Sequence, residues 1–232
     1  MPNAAIPSSI SRWCESRVCV DPIWEDAYRR FETPEVESAK FRRRFRLLGV
    51  EQWPRDAAIV NLFCGAGREL SCLEEMGFTH LEGVDLSESM LAQYQGAARL
   101  YLGDCMALQF ADSSRDFVVI QGGLHHLPRF PEDLERALRE VARILKPGGR
   151  LLLVEPWWTP FLHLVTFIHQ RPWARKVYPR LDALAVMVER EAATYYRWLA
   201  NGPGILDLLE SVFLTHHLHC RWGKLMFVGT PK

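Results

Sequence analysis

The sequence predicts an α/β protein with a doubly wound, mostly parallel sheet, and three observations lead there. From Ala57 onward, short apolar runs alternate with amphipathic segments. Several of those runs end on glycine or a carboxylate, the residues that shape ligand sites at strand ends. After a long aromatic interruption the chain closes with two strand-like runs joined by a tight turn. Strands separated by helices pair in parallel through crossovers, which gathers their carboxyl ends along one crevice.

The elements follow in order. In the arm, Thr33 can cap a helix that Pro34 opens, with Glu35 and Glu37 at its positive end. Arg42, Arg43, Arg44 and Arg46 fall near its negative end, and Gly49 can stop it. The arginines are thus read as a helix C-terminus and solvated face, with contact to an anionic substrate as the second use. Residues 58–63 read as a buried strand and 68–76 as a helix ended by Gly77. A second strand (80–85), a second helix (88–95), a third strand (99–103) and a fourth (116–121) come next. Residues 131–145 form a long amphipathic helix closed by Lys146-Pro147-Gly148-Gly149, and 150–155 a fifth strand. Residues 156–204 break the rhythm with aromatic, helical sequence. A short helix (205–209) then leads to strands at 212–220 and 224–229, with an antiparallel turn around Arg221-Trp222-Gly223.

Composition limits the function. With 28 Lys+Arg against 28 Asp+Glu the net charge is zero, which argues against a general nucleic-acid binder. Six cysteines without a CxxC spacing (Cys14, Cys19, Cys64, Cys72, Cys105, Cys220) suit a reduced, cytoplasmic protein with buried thiols. No basic region followed by an apolar run opens the chain, so no signal peptide is expected. The most apolar stretch, 151–168, contains Glu155, Pro156, Pro160 and His163 and is not expected to span a membrane. All eight tryptophans lie outside the segment from Pro54 to Pro156, so the middle and the flanks are built for different tasks.

Four motifs sit at strand ends. Asn61-Leu62-Phe63-Cys64-Gly65-Ala66-Gly67 opens a helix, and its glycines allow a ligand to approach the backbone. Gly83-Val84-Asp85-Leu86-Ser87 ends strand two with an acid able to accept two ribose hydroxyls. Gly103-Asp104-Cys105 ends strand three with a carboxylate for an exocyclic amine. Gln121-Gly122-Gly123-Leu124-His125-His126 follows strand four and faces the same crevice.

Together with Ser87-Glu88-Ser89-Met90-Leu91 and Leu145-Lys146-Pro147-Gly148-Gly149, this ordered set resembles the class I S-adenosylmethionine-dependent methyltransferases, particularly their small-molecule, type 11-like branch. The resemblance runs from about residue 57 to 155. It implies a seven-stranded Rossmann-like sheet and S-adenosyl-L-methionine as cofactor. It divides one domain into a helical arm (1–56), a cofactor-binding core (57–155), a lid insertion over the substrate (156–204) and a C-terminal helix with a strand pair (205–232). The cofactor would meet Asn61, Phe63, Cys64, Gly65, Ala66, Gly67, Asp85, Leu86, Met90, Asp104, Cys105, Met106, Gln121 and Gly122. Two positions depart from the family: an acid is usual at Asn61 and a glycine at Phe63. The second departure resembles the Phe-x-Gly-x-Gly loop of cytosine-5 and uracil-5 nucleic-acid methyltransferases. Those enzymes use a nucleophilic cysteine, often beside proline, and no cysteine here adjoins one. The likeness therefore extends to the cofactor loop and not to the substrate.

Methyl transfer to a hydroxyl needs a base, and His125 is the first candidate, followed by His126, Glu155 and Tyr28. O-methylation of a small molecule is the expected reaction, with carbohydrate, polyketide, quinone-like and lipid-linked acceptors all admitted. Two other readings stay open: a binding or scaffold protein of the same fold, and a non-methylating enzyme that keeps the sulfonium. Trp13, Trp24, Tyr28, Trp157, Trp158, His163, His169 and Trp173 belong to the parts that would cover the acceptor. Residues 161–176 mix aromatic and basic side chains in a way that suits weak interfacial contact with a membrane. On a strand, His217 and His219 face opposite to His216 and Cys220, so no metal is expected there. The chain is expected to be a monomer or homodimer.

Overall fold

The computed structural model describes residues 10–17 and 21–232; Cys19 lies outside them. Its strands are β1 (Ser11–Arg12), β2 (Ala58–Leu62), β3 (His80–Asp85), β4 (Arg99–Leu102), β5 (Arg115–Gln121), β6 (Leu145–Pro156), β7 (Phe213–Arg221) and β8 (Lys224–Pro231). They form one sheet in the order β1-β4-β3-β2-β5-β6-β8-β7. Pairing is parallel from β1 through β6, and β8 runs antiparallel to both β6 and β7. The α/β class and the terminal hairpin are as expected, but the sheet has eight strands where seven are expected. The extra one is a two-residue polar edge with no alternation to read. It is held because Trp13 donates to the Leu102 carbonyl at 2.9 Å and stacks on Tyr101 at 4.5 Å.

The helices are α1 (Pro22–Phe31), α2 (Pro34–Leu47), α3 (Arg68–Glu75), α4 (Glu88–Leu91), α5 (Glu132–Ile144), α6 (Pro160–His169), α7 (Pro172–Val177), α8 (Pro179–Arg190), α9 (Ala192–Ala200) and α10 (Gly202–Val212). The arm thus has two helices where one is expected. Asp21 caps α1 by accepting from Ile23 N at 2.8 Å, and Thr33 caps α2. The second core helix stops at Leu91 rather than 95. Gln93 and Tyr94 turn back through three-residue hydrogen bonds, and the Tyr94 phenol reaches Glu74. The last helix is longer than expected because Pro203 starts it early. Prolines also open α6, α7 and α8, which is how the aromatic insertion becomes separate helices.

Alternation along the strands divides the core into two layers. Val60, Leu62, Val118, Ile120, Leu151 and Leu153 pack toward α5, α9 and α10. Ile59, Val119, Leu152 and Val154 pack toward α2 and α3. Both faces being covered explains why the central strands read as continuous apolar runs. Arm and insertion also meet: α1 packs on α8, with Arg30–Asp182 and Arg190–Asp21 ion pairs at 3.2 and 2.6 Å. Those pairs are partly exposed and orient the contact more than they stabilise it.

Leu153 is fully buried in the first layer. Leu153→Ala should cost about 2–5 kcal/mol in urea unfolding followed by tryptophan fluorescence; a loss below about 1 kcal/mol would contradict this packing.

Candidate cofactor crevice and catalytic pair

The strand order reverses between β2 and β5, so the loops leaving them diverge and open a crevice at their carboxyl ends. The loop after β2 has left-handed backbone at alternate residues: Phe63 (φ 57°), Gly65 (φ 49°) and Gly67 (φ 72°). Glycine adopts this conformation freely. Gly67 is doubly required, because a Cβ there would meet the Tyr94 ring at 2.2 Å. Phe63 adopts it against an ordinary cost of roughly 1–2 kcal/mol. Its ring lies where a Cβ on Gly123 would be, 2.3 Å from Phe63 Cγ, so the loops after β2 and β5 lock together.

Asp85 organises the neighbouring turn. Its carboxylate accepts from Gly65 N and Ser87 N, both at 2.8 Å, tying the glycine loop to the end of β3. Burial raises its pKa, against the pull of those backbone donors. Asp104 accepts from Met106 N at 2.9 Å, with Arg17 at 3.8 Å. Asn61, Phe63, Gly65, Ala66, Gly67, Asp85, Gln121 and Gly122 therefore gather at the carboxyl ends of β2, β3 and β5 and the loops that follow them. Leu86 contributes its carbonyl to Arg17 N, and Met90 Cε lies 3.4 Å from where a Gly65 Cβ would be. Cys64 and Cys105 differ from the rest: both thiols are buried in the core layers, and burial raises both pKa values. At those positions the backbone faces the loops and the side chain does not. Met106 lines a groove of about 540 Å³ with Glu132 and Arg136 along α5.

Beneath the opening lies a charged network that sequence reasoning missed. Asn61 is wholly buried, and its Nδ2 donates to Glu69 Oε2 at 2.7 Å and to the Val119 carbonyl at 3.1 Å. Burial pushes Glu69 up to about 8, opposed by the Asn61 bond and the Arg44 charge. Arg44 donates to Gln121 Oε1 at 3.2 Å, and burial lowers its pKa. Lys224, from the start of β8, is pulled down to about 8 by burial and by Arg44. Two atoms are left over: Asn61 Oδ1, an acceptor, and Gln121 Nε2, a donor, are buried without partners. Asn61 pairs with Val119 across β2 and β5, and Gln121 is two residues further on, so both side chains leave the same face. An unpaired acceptor and an unpaired donor on one face of the sheet suit a ligand carrying both an ammonium and a carboxylate. Arg44 belonged to the arginine cluster read as a solvated face. Its hydrogen bond to Gln121 corrects that reading for Arg44, because the fold of α2 onto the sheet is not visible in a charge run.

The candidate catalytic pair joins the loop after β5 to the end of β6. His125 Nδ1 and Glu155 Oε2 are 2.7 Å apart, and both groups are buried. Glu155 also accepts from Gly123 N and Leu124 N, at 2.8 and 2.7 Å. Burial disfavours the His125 imidazolium, but Glu155 and Glu191 outweigh it and raise its pKa to about 9. Crowding of the ring and the neighbouring His125 charge lower the pKa of His126, whose side chain is 41% exposed. Glu191, on the insertion, approaches His125 Nε2 at 3.8 Å and His126 Nδ1 at 3.4 Å. Tyr28 sits apart from this pair. It stacks on Trp24 at 5.1 Å and donates to Glu37, while burial and the surrounding carboxylates hold its phenol firmly protonated. Trp24 in turn meets His126 edge-on at 6.4 Å. Trp158 stacks on His163 at 4.2 Å, and Trp173 faces solvent. Among the described residues, His125, His126 and Glu191 are grouped closely enough to share a cation, whereas the His216–Cys220 run has no such grouping.

Residues 60–153 match the family described as a methyltransferase domain. This segment is a methyltransferase domain. The S-adenosylmethionine-dependent class that the motifs resemble is therefore its class, and S-adenosylmethionine is the cofactor of that class. Among curated relatives, the ubiquinone/menaquinone biosynthesis C-methyltransferase UbiE of Rubrivivax gelatinosus is 32% identical over 182 residues, 74% of this chain and 61% of its own length. A demethylmenaquinone methyltransferase of Streptomyces griseus is 41% identical over 93 residues, 38% of this chain and 39% of its own. The chain thus spans less than two thirds of either relative. In solved structures, a Pyrococcus horikoshii protein superposes with TM-score 0.67 at 18% identity, covering 92% of this chain and all of the other. A TehB-like SAM-dependent methyltransferase of Corynebacterium glutamicum gives 0.53 at 18% identity, covering 84% and 98%. At those identities the superpositions establish the fold. The matched segment stops just before Glu155, and the arm, the insertion and the hairpin lie outside the match.

The left-handed loop is directly testable. Gly148 is also left-handed (φ 79°), but nothing lies within 4 Å of an added Cβ. Gly148→Ala should cost about 1–2 kcal/mol from backbone strain alone, and Gly67→Ala clearly more, because the Tyr94 ring must move as well. Equal losses in urea unfolding would remove the steric role given to Gly67.

Proposed function

We propose that this chain transfers a methyl group from S-adenosylmethionine to a small molecule bearing a ring hydroxyl, of the quinol type. The observation that carries the proposal is the buried His125–Glu155 pair at the crevice, 2.7 Å between Nδ1 and Oε2. The names of the quinone-biosynthesis relatives support the acceptor class. The cofactor supplies an electrophilic methyl carbon when bound. Its amino-acid end suits the unpaired Asn61 Oδ1 and Gln121 Nε2, with Arg44 beside the carboxylate. Asn61 lacks the charge of the family's usual acid, and Glu69 stands directly behind it. Asp85 keeps lone pairs for ribose hydroxyls, and Asp104 for the adenine amine. The phenylalanine at position 63 meets its family's glycine backbone in the left-handed region and does not close the loop.

His125 is the proposed base. Glu155 fixes Nδ1 as the protonated nitrogen and leaves Nε2 to take the acceptor's hydroxyl proton. Loss of that proton puts negative charge on the oxygen and on the ring carbon ortho to it. Either atom can then take the methyl group, the bound cofactor's C–S bond breaking as one C–C or C–O bond forms. On the carbon route the C–H bond at that carbon then breaks, its proton leaving so that the ring becomes aromatic again, and the oxygen recovers its own proton from His125. We take carbon as the site of transfer, in line with a relative named as a C-methyltransferase. Oxygen, which the sequence reading favours, is the second reading and uses the same base. Glu155 is a positioning residue, since its oxygens are engaged by Gly123, Leu124 and His125. The arm and the insertion, clasped through α1 and α8, are the proposed lid over the acceptor. A cofactor-binding protein that transfers nothing is the alternative.

The base is active when deprotonated, and its pKa in the ligand-free protein is about 9. Accordingly kcat/KM should rise with pH and level off above about 9. His125→Ala should lower kcat by roughly 10²–10⁴-fold and abolish that rise, while calorimetric affinity for S-adenosylmethionine changes little. Unchanged turnover in this variant would sink the assignment. Incubation with S-adenosylmethionine and a reduced demethylnaphthoquinol should add one methyl group by mass, bonded to ring carbon by NMR. An O-methyl signal would select the second reading, and cofactor binding without product would select the alternative.

A further inference from the structure

Away from the crevice, α6 and the β7–β8 turn present apolar side chains that nothing among the described residues covers. Phe161, Leu164 and Phe167 lie along one side of α6 and are about half exposed, and Trp222 at the turn is 62% exposed. The Phe161 and Trp222 rings meet edge-on at 5.3 Å, so helix and turn make one continuous surface. The other side of α6 is anchored: a Gly223 Cβ would lie 3.4 Å from Leu162, and Gly223 N donates to Thr159 Oγ1 at 2.9 Å. The patch is therefore held rigidly by the fold.

The turn itself is unusual. Arg221 pairs with Lys224, which leaves Trp222 and Gly223 as a two-residue loop, both left-handed (φ 52° and 74°). That backbone favours Asn-Gly. A tryptophan there combines a disfavoured backbone with an apolar ring that is mostly in water. Cations surround the patch. Arg171 lies over the Phe167 ring at 4.2 Å and Arg221 over Trp222 at 5.7 Å. Between Glu155 and Asp182 the chain has no acidic residue, but it has Arg171, Arg175, Lys176 and Arg180. Arg175 is paired with Asp182 and Glu189. Arg171 and Arg221, which lie over the rings themselves, are therefore the cations that complement an anionic lipid surface, with rings at the acyl boundary and guanidinium groups at the headgroups. Pro156 pairs with Lys224 at the carboxyl end of β6, so this surface stands at the same end of the sheet as the crevice.

We propose that α6 and the β7–β8 turn dock this protein on an anionic membrane surface through Phe161, Leu164, Phe167 and Trp222, with Arg171 and Arg221 on the headgroups. This goes beyond the proposed methyl transfer and does not depend on it, because docking needs no turnover. It also gives a lipid-soluble acceptor a short route to the crevice.

The test is co-sedimentation of the full chain with phosphatidylcholine vesicles, with and without phosphatidylglycerol. Pelleting is expected with the anionic vesicles and should weaken as salt rises. Phe167→Ser combined with Trp222→Asn should reduce it by about tenfold or more, and Arg171→Glu by a similar factor. Asn suits the left-handed turn, so Trp222→Asn alone should unfold at a higher temperature while binding vesicles less. Calorimetric binding of S-adenosylmethionine should be unchanged in all three variants, which separates failed docking from failed folding. Absence of pelleting at low salt, or variants that pellet like the parent, would overturn the proposal. So would a dimer in sedimentation velocity that the double variant abolishes while vesicle binding is absent, since the patch would then join two copies of the chain.

Discussion

The crevice depends on one carboxylate. Glu155 ends β6 with no exposure to solvent, and a buried charge in that position is tolerable only when paired and hydrogen-bonded. Gly123 N, Leu124 N and His125 Nδ1 supply those bonds. In meeting that demand, the loop after β5 is drawn across the end of β6, and His125 is fixed in orientation. The same loop places Gly123 under the Phe63 ring, so the glycine loop after β2 is positioned in turn. Asp85 then ties that loop to β3 through Gly65. Each strand end is thereby connected to the next by a carboxylate or a close steric contact.

Charge around the crevice is balanced locally rather than by solvent. Arg44, Lys224, Glu69 and Glu37 come from α2, β8 and α3, and each shapes the electrostatic surroundings of another. Low dielectric makes such groups sensitive to one another, so a bound zwitterion or a departing proton is felt across the network. The contrast between His125 and His126 arises the same way. Adjacent imidazoles cannot both carry charge cheaply, and the one against Glu155 keeps the proton.

The arm and the insertion were recognisable as different from the core before their structure was. Their tryptophans and prolines announced helical, aromatic segments, yet their pairing through α1 and α8 could not be read, because partially exposed contacts between distant segments leave no periodic trace. Glu191 is the sharpest case. Nothing in its neighbourhood of the sequence marks it, and only the fold of the insertion brings it to the two histidines.

By itself the sequence determined the α/β class, the order of strands and helices through the core, and the strand-end motifs. These follow from local alternation, capping and glycine placement, which are properties of neighbouring residues. It also singled out His125, Glu155 and Asp85, because chemistry-bearing residues at strand ends are legible from position alone. Tertiary structure decided which of them meet: the His125–Glu155 pair, the contact of Arg44 with Gln121, the inward turn of Cys64 and Cys105, and the separate partners of Tyr28. Those outcomes depend on contacts across dozens of residues and on burial, and both come into being only when the layers pack.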